Sequence, residues 1–260
     1  MSVLQATADE FTETELDAFT RDGYFICRGL VPGDYLTRMK AVADRDSASR
    51  LGDIEYEAEL QYPGAPSTLD SEGGHTIRRL RQAFSRDPVF SRLVKEPFLL
   101  QRLQQLLGDR VVMPLAHHNC IMTKNPLYSS DTCWHQDIRY WSFEHADLIS
   151  VWIALTDESV DNGCLRLLPG THDITVESHR LDQQLFLRPN LPRNQTWLNS
   201  AVTAELDPGD VLFFHARCFH SATRNYGSRT KCSAVFTFRN LTNAPIPGTR
   251  SASLPELLLS

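Results

Sequence analysis

The run Trp134-His135-Gln136-Asp137 places an imidazole and a carboxylate two residues apart. On an extended backbone, residues i and i+2 project from the same face, so His135 and Asp137 can bind one metal ion in adjacent positions. A facial set needs a third donor. His220 is the candidate, because it follows the turn Asp207-Pro208-Gly209-Asp210 and the apolar run Val211 to Phe214, where a later strand is expected. Two histidines and one carboxylate with three open positions form the donor set that selects non-haem Fe(II) and leaves room for a co-substrate and dioxygen. His-x-Asp alone recurs by chance, so the surrounding residues must carry the rest of the argument.

Arg139, two residues beyond Asp137, is expected on the same strand face, where a guanidinium fork suits a substrate carboxylate or phosphate. Trp134, Tyr140, Trp141 and Phe143 read equally as packing at the mouth of a β core and as substrate contacts, Trp141 being the substrate candidate. Arg78, Arg79, Arg81 and Arg86 read as a solvated helical face, with the alternative that Arg78 or a neighbour reaches an anionic substrate or the co-substrate. His117, His118 and His215 are left out of the metal set as hydrogen-bonded core histidines.

Thr12-Glu13-Thr14-Glu15 resembles a capping box opening a helix over 12–22, which Gly23 is placed to end. Residues 24–30 read as a strand, and Pro32 opens a second helix with Leu36, Met39 and Val42 on one face. The stretch 50–76 is longer than an ordinary connection and suggests a lid or binding segment. An apolar stripe over 97–107 gives a further helix ended by Gly108. From Arg110 onward, β-branched and aromatic runs alternate with turn signals, predicting strands at 110–122, 148–155, 163–168, 201–206, 211–214 and 232–238. The alternating helices that a parallel sheet requires are missing. The fold class is therefore mainly β (α+β), a jelly roll or barrel, in a single domain over 1–260, with helical support over about 1–108 and a β core over about 110–240.

With 260 residues, 42% hydrophobic and 22% charged, the composition is that of an ordinary globular chain rather than a disordered or coiled-coil one. A formal net charge of −6 argues against nucleic acid as a general partner. The apolar run Leu148 to Leu155 is far short of the roughly 18 residues a membrane helix needs, and it contains Ser150. Asp9, Glu10, Glu13 and Glu15 stand where a secretory signal would be basic and then apolar, so the expected location is cytoplasmic. Six cysteines without a CxxC pair fit reduced thiols.

The text around the metal motif resembles the phytanoyl-CoA dioxygenase family of Fe(II)/2-oxoglutarate oxygenases. The matching segments are HQDIRYWSF at 135–143, VWIAL at 151–155, DNGCLRLLPGTH at 161–172 and PGDVLFFHARCFHSATRN at 208–225, with DGYFICRGL at 22–30 also fitting. The resemblance implies a double-stranded β-helix (jelly roll, cupin-like) with packed N-terminal helices. It implies iron held by His135, Asp137 and His220, with 2-oxoglutarate chelating that iron. It also implies a deep cation for the co-substrate's far carboxylate. An ungapped count puts Lys231 at the family's arginine position, whereas Arg229 fits only if the loop is shortened by two residues. Trp152 matches the tryptophan that packs near the co-substrate. Ala222 replaces a frequent serine, so Ser221 or Thr223 would have to contribute that hydrogen bond.

The implied activity is hydroxylation of an unactivated C–H bond of a small, anionic substrate, with dioxygen as the other reactant. The run AHHNCIMTK together with WHQDIRYWSF is most similar to bacterial hydroxylases of the Kdo sugar of lipopolysaccharide. A lipid-linked sugar would allow peripheral membrane contact. An acyl-CoA or amino-acid hydroxylase of the same family is the alternative. A cupin-type metal-dependent hydrolase or isomerase would need no co-substrate cation, and a non-catalytic binding module would tolerate a missing ligand.

Overall fold

The computed structural model describes residues 9–259. The helices are α1 (Glu13–Asp22), α2 (Gly33–Ser49), α3 (Ala83–Arg86), α4 (Pro88–Leu93), α5 (Pro97–Leu107) and α6 (Pro192–Asn199). The strands are β1 (Tyr24–Cys27), β2 (Ile54–Tyr56), β3 (Ile77–Arg81), β4 (Val111–Pro114), β5 (Asn119–Lys124), β6 (Thr132–His135), β7 (Leu148–Ala154), β8 (Leu165–Leu167), β9 (Val202–Ala204), β10 (Val211–His215), β11 (His220–Ala222), β12 (Lys231–Asn240) and β13 (Glu256–Leu258). The first helix forms for the reason its sequence suggests. Thr12 Oγ1 accepts from the Glu15 N–H at 3.3 Å, Glu15 Oε2 accepts from the Thr12 N–H at 2.8 Å, and Gly23 ends the helix at φ +77°.

Two antiparallel sheets face each other. The nine-stranded sheet runs β1-β10-β7-β12-β5-β3-β2, with β4 on β12 and β13 on β4; the four-stranded sheet runs β6-β11-β8-β9. Strand β7 shows how one sequence serves two layers, since all seven of its residues are buried. Ile149, Val151 and Ile153 pack with the helices, while Trp152 and Ala154 pack on Leu165, Leu167 and Ala222 of the smaller sheet. Strand β12 repeats the division, with Ala234 and Phe236 toward the helices and Val235 toward the smaller sheet.

Several expectations change. The strand expected at 24–30 forms as β1, but β2 and β3, which no expectation covered, also extend the large sheet before residue 108, and β13 lies beyond the expected end of the β core. Residues 110–122 form two strands, β4 and β5. Arg78, Arg79 and Arg81 stand on strand β3, not on a solvated helix. They face the inter-sheet space because partners sit there: Arg81 Nη2 meets Glu55 at 2.6 Å and Arg78 Nη1 meets Glu57 at 3.1 Å. Strands β6 and β11, four and three residues long, are too short to carry a periodicity, and the eight-residue helix α6 was not among the expected elements. No helix among the described residues is long and apolar enough to cross a membrane.

Gly163 ends the turn that leads into β8 in a left-handed conformation. Its φ is +77°, and a Cβ there would lie 2.2 Å from the backbone oxygen of Thr223, three residues past His220. Gly163→Ala should therefore lower stability by about 2 kcal/mol or more through backbone strain and displacement of that loop. A lower urea midpoint at unchanged m would show it.

Candidate active site

Strands β6 and β11 pair antiparallel with His220 directly opposite His135, which sets the two rings 4.2 Å apart between centroids. Strand β6 ends at His135. Gln136 stays extended, and Asp137–Tyr140 then form a 3-10 turn that swings the Asp137 carboxylate back over the rings. Asp137 Oδ1 lies 3.8 Å from His135 Nε2 and 3.6 Å from His220 Nε2. One donor atom from each of the three residues lies within 4.8 Å of the other two, and all three residues are buried.

The ring tautomers follow from the backbone. His135 Nδ1–H donates to the Cys133 carbonyl at 2.8 Å and His220 Nδ1–H donates to the Cys218 carbonyl at 3.1 Å, so each Nε2 keeps its lone pair for a metal. Burial first, then His220 and Arg139, hold the His135 imidazole well below its usual range, so it remains neutral. The outer carboxylate oxygen of Asp137 accepts from Ser150 Oγ at 3.3 Å and lies 3.5 Å from His118 Nδ1. Neutral imidazoles with one inward carboxylate oxygen are the donor set for a divalent iron.

The three donors open into a cavity of about 640 Å³ between the sheets. Trp152, Ser221, Trp141, Arg78 and Arg139 line it, as does Lys124, which the sequence reading did not single out. Arg78 projects from a β-bulge, because Tyr56 pairs with Ile77 while Glu55 pairs with Arg79. The extra residue in a bulged strand is re-aimed, here into the cavity wall, where Arg78 also donates to Ser130 Oγ at 2.8 Å. Trp141 packs on His117 and His118.

Arg139 belongs to the 3-10 turn and does not continue the strand face of Asp137 as expected, yet it lines the same cavity. Its guanidinium lies 4.0 Å from the Phe186 ring centroid and 4.5 Å from that of Tyr140, and it donates to Tyr62 Oη at 3.2 Å. Its Nε and Nη1 are buried without a partner, and no carboxylate among the described residues lies within 4.0 Å. Arg229 is corrected more sharply. Its side chain is 86% exposed beside Asp157, so it cannot supply a deep cation. Lys231 is buried but lies behind the cavity wall, paired with Glu158 at 2.8 Å. Ser150, a polar residue inside the apolar run 148–155, was a visible signal for its role beside Asp137; Glu158 and Phe186 gave none.

The sequence pattern described as phytanoyl-CoA dioxygenase (PhyH) matches residues 19–232. The chain belongs to this family. Membership makes it an oxidoreductase of the 2-oxoglutarate-dependent dioxygenase class, with iron and 2-oxoglutarate as cofactors, and the His135–Asp137–His220 geometry fits the iron. The chain is 25% identical over 278 residues to a probable phytanoyl-CoA dioxygenase of Caenorhabditis elegans, covering 99% of this chain and 83% of that one. It is 26% identical over 208 residues to an L-proline trans-4-hydroxylase of Streptomyces griseoviridis, covering 69% and 74%. In fold it is similar to the epimerase SnoN from nogalamycin biosynthesis (TM-score 0.73, 21% identity, 94% and 90% covered). It is also similar to EctD from S. alaskensis (TM-score 0.72, 20% identity, 96% and 84% covered).

Two outcomes follow from these contacts. Ser150→Ala removes the hydroxyl that orients Asp137 and should weaken Fe(II) binding about 10- to 100-fold, read by anaerobic metal titration, while leaving the secondary structure intact. The second concerns His117, which burial pushes down to about 3 and whose Nε2 meets Ser251 Oγ at 2.8 Å. The unfolded imidazole takes up a proton near pH 6.5, but the folded one does not. Its contribution is therefore complete above about pH 6.5 and is lost as pH falls toward 3, at most about 1.4 kcal/mol per pH unit. His117→Gln should flatten that slope in denaturant midpoints measured from pH 7 to 5.

Proposed function

We propose that this oxygenase hydroxylates a C–H bond of a small, anionic substrate, with the Kdo sugar of lipopolysaccharide as the leading candidate. The observation that carries the anionic class is Arg139, a guanidinium clamped between two rings over the metal-facing cavity, with two buried donor nitrogens and no carboxylate partner. Buried polar groups are normally satisfied, so these nitrogens suit an arriving carboxylate. Arg78, Arg79 and Arg81 are matched by Glu55 and Glu57, which makes them framework more than substrate groups.

Iron with 2-oxoglutarate supplies the oxidation: dioxygen gives one oxygen atom to the substrate C–H bond and one to the succinate formed with carbon dioxide. The chain's own part is placement. His135 and His220 offer Nε2 because their Nδ1 protons are held by backbone carbonyls, and Asp137 offers Oδ1 because Ser150 and His118 occupy the space around Oδ2. Trp141 and Tyr140 line the cavity, and Phe186 packs edge-on against the His135 ring at 5.9 Å between centroids. Ser221 on β11 is placed for a polar contact with bound groups beside His220. We further read the two facing sheets as a double-stranded β-helix of jelly-roll type, in one domain over 1–260, acting in the cytoplasm. Acyl-CoA or amino-acid hydroxylation, the activities named for the relatives, is the competing reading.

Succinate formation measured with Kdo, an acyl-CoA and free proline discriminates these. Kdo should stimulate turnover, and stimulation only by the acyl-CoA or proline would reject the acidic-sugar assignment. Arg139→Lys keeps the charge but loses the fork, so it should raise the apparent substrate requirement about tenfold or more while leaving substrate-free decarboxylation of 2-oxoglutarate near the parent's. Collapse of the uncoupled reaction would instead make Arg139 a support of the metal site.

A further inference from the structure

Behind Trp152 lies a carboxylate cradle that is already filled. Glu158 is fully buried; its Oε1 accepts from Trp152 Nε1 at 2.7 Å and from Ser233 Oγ at 2.5 Å, and its Oε2 accepts from Lys231 Nζ at 2.8 Å. A cation, a hydroxyl and an indole N–H converging on one carboxylate are the donors that a diacid's far end would seek. Here a side chain of the protein takes all three, and Lys231 does not line the cavity.

The cavity wall carries another lysine at the matching position. Lys124 on β5 pairs in register with Lys231 on β12, so the two side chains leave the large sheet on the same face. Lys124 is buried, lines the cavity, and donates to the Ser130 carbonyl at 2.7 Å. No carboxylate among the described residues lies within 4.0 Å of its ammonium. Burial first, then Arg78 and Lys231, draw it down to about 7 against the opposing pull of Glu57 and Asp131. Arg78 pairs with Glu57 and Lys231 with Glu158, whereas Lys124 feels Glu57 and Asp131 only at longer range and has no carboxylate in ion-pair contact among the described residues.

We infer that Glu158 keeps Lys231 as a structural pair and that Lys124, not Lys231, binds the far carboxylate of the 2-oxo acid co-substrate. The inference rests on the 2-oxoglutarate dependence stated above. It explains how a chain whose expected anchor is internally neutralised can still select a diacid. Lys124 is then a specificity-determining residue, because a 2-oxo acid without the far carboxylate chelates the metal equally well but gains nothing from it.

Anaerobic titration of the Fe(II)-loaded protein with 2-oxoglutarate and with 2-oxobutyrate, followed by the visible band of the chelate, tests this by equilibrium binding. The parent should prefer 2-oxoglutarate on the order of 100-fold, the range expected when a charge-paired group is lost. Lys124→Met should bring the ratio to within a few-fold by weakening 2-oxoglutarate alone, and Lys124→Arg should restore most of it. The double variant Lys231→Met/Glu158→Gln removes the pair without stranding a charge, and it should keep the parent's ratio. If the double variant loses the preference while Lys124→Met retains it, Glu158 swings aside and Lys231 is the anchor, which overturns the assignment. Failure of both 2-oxo acids to give the band with the parent would reject the co-substrate reading itself, an outcome distinct from a misplaced anchor.

Discussion

Everything at this centre depends on one backbone register, the pairing of His220 with His135 across β6 and β11. These residues are 85 positions apart in the chain, and a slip of one would turn one imidazole to the other face of the sheet. The register is enforced from both sides. Strand β8 pairs Leu167 with His220, and Gly163 brings the turn before it against the Thr223 carbonyl. The two backbone carbonyls that hold the Nδ1 protons come from residues two positions before each histidine, so the same register that places the rings also fixes their tautomers.

A second constraint is charge in a dry interior. The space between the sheets holds Arg78, Lys124, Lys231, Glu55, Glu57 and Glu158, all buried. Isolated, each would cost several kcal/mol; Arg78 with Glu57 and Lys231 with Glu158 offset that cost as ion pairs, in or behind the cavity wall. The pairing is incomplete at two places, Lys124 and Arg139, and both line the cavity into which His135, Asp137 and His220 open. Two cations without an ion-pair partner in one cavity are the basis on which we assign it two different anions.

The apolar residues of the large sheet do different work. The large sheet's outer face, through Val151, Ile153, Ala234 and Phe236, is locked against the helices, giving the strands a rigid backing. Side chains on the inner face can then be polar without loosening the fold, since the stabilising burial lies on the other side. Ser150, Ser233 and Thr237 are fully buried there.

The sequence by itself determined the family, pointed to the three residues that the fold brings together as candidate donors, and indicated antiparallel sheets backed by helices. His135, Asp137 and His220 sit in long stretches of matching text, and strands such as β7, β10 and β12 carry apolar runs long enough to be read locally. Helix α1 was legible through its capping box and Gly23, which act within one turn. Only the tertiary structure decided which cations serve which carboxylate. Arg78 read as surface because a charge run on one segment does not show that Glu55 and Glu57 lie across a strand pair from it. Arg229 and Lys231 were indistinguishable by strand parity, yet one ends exposed and the other buried against Glu158, a partner 73 residues away. The turn that lifts Asp137 and Arg139 off the strand was invisible for the same reason. Local periodicity reports which side chains share a face, whereas charge pairing and re-aimed turns depend on contacts between segments that meet only when the sheets close.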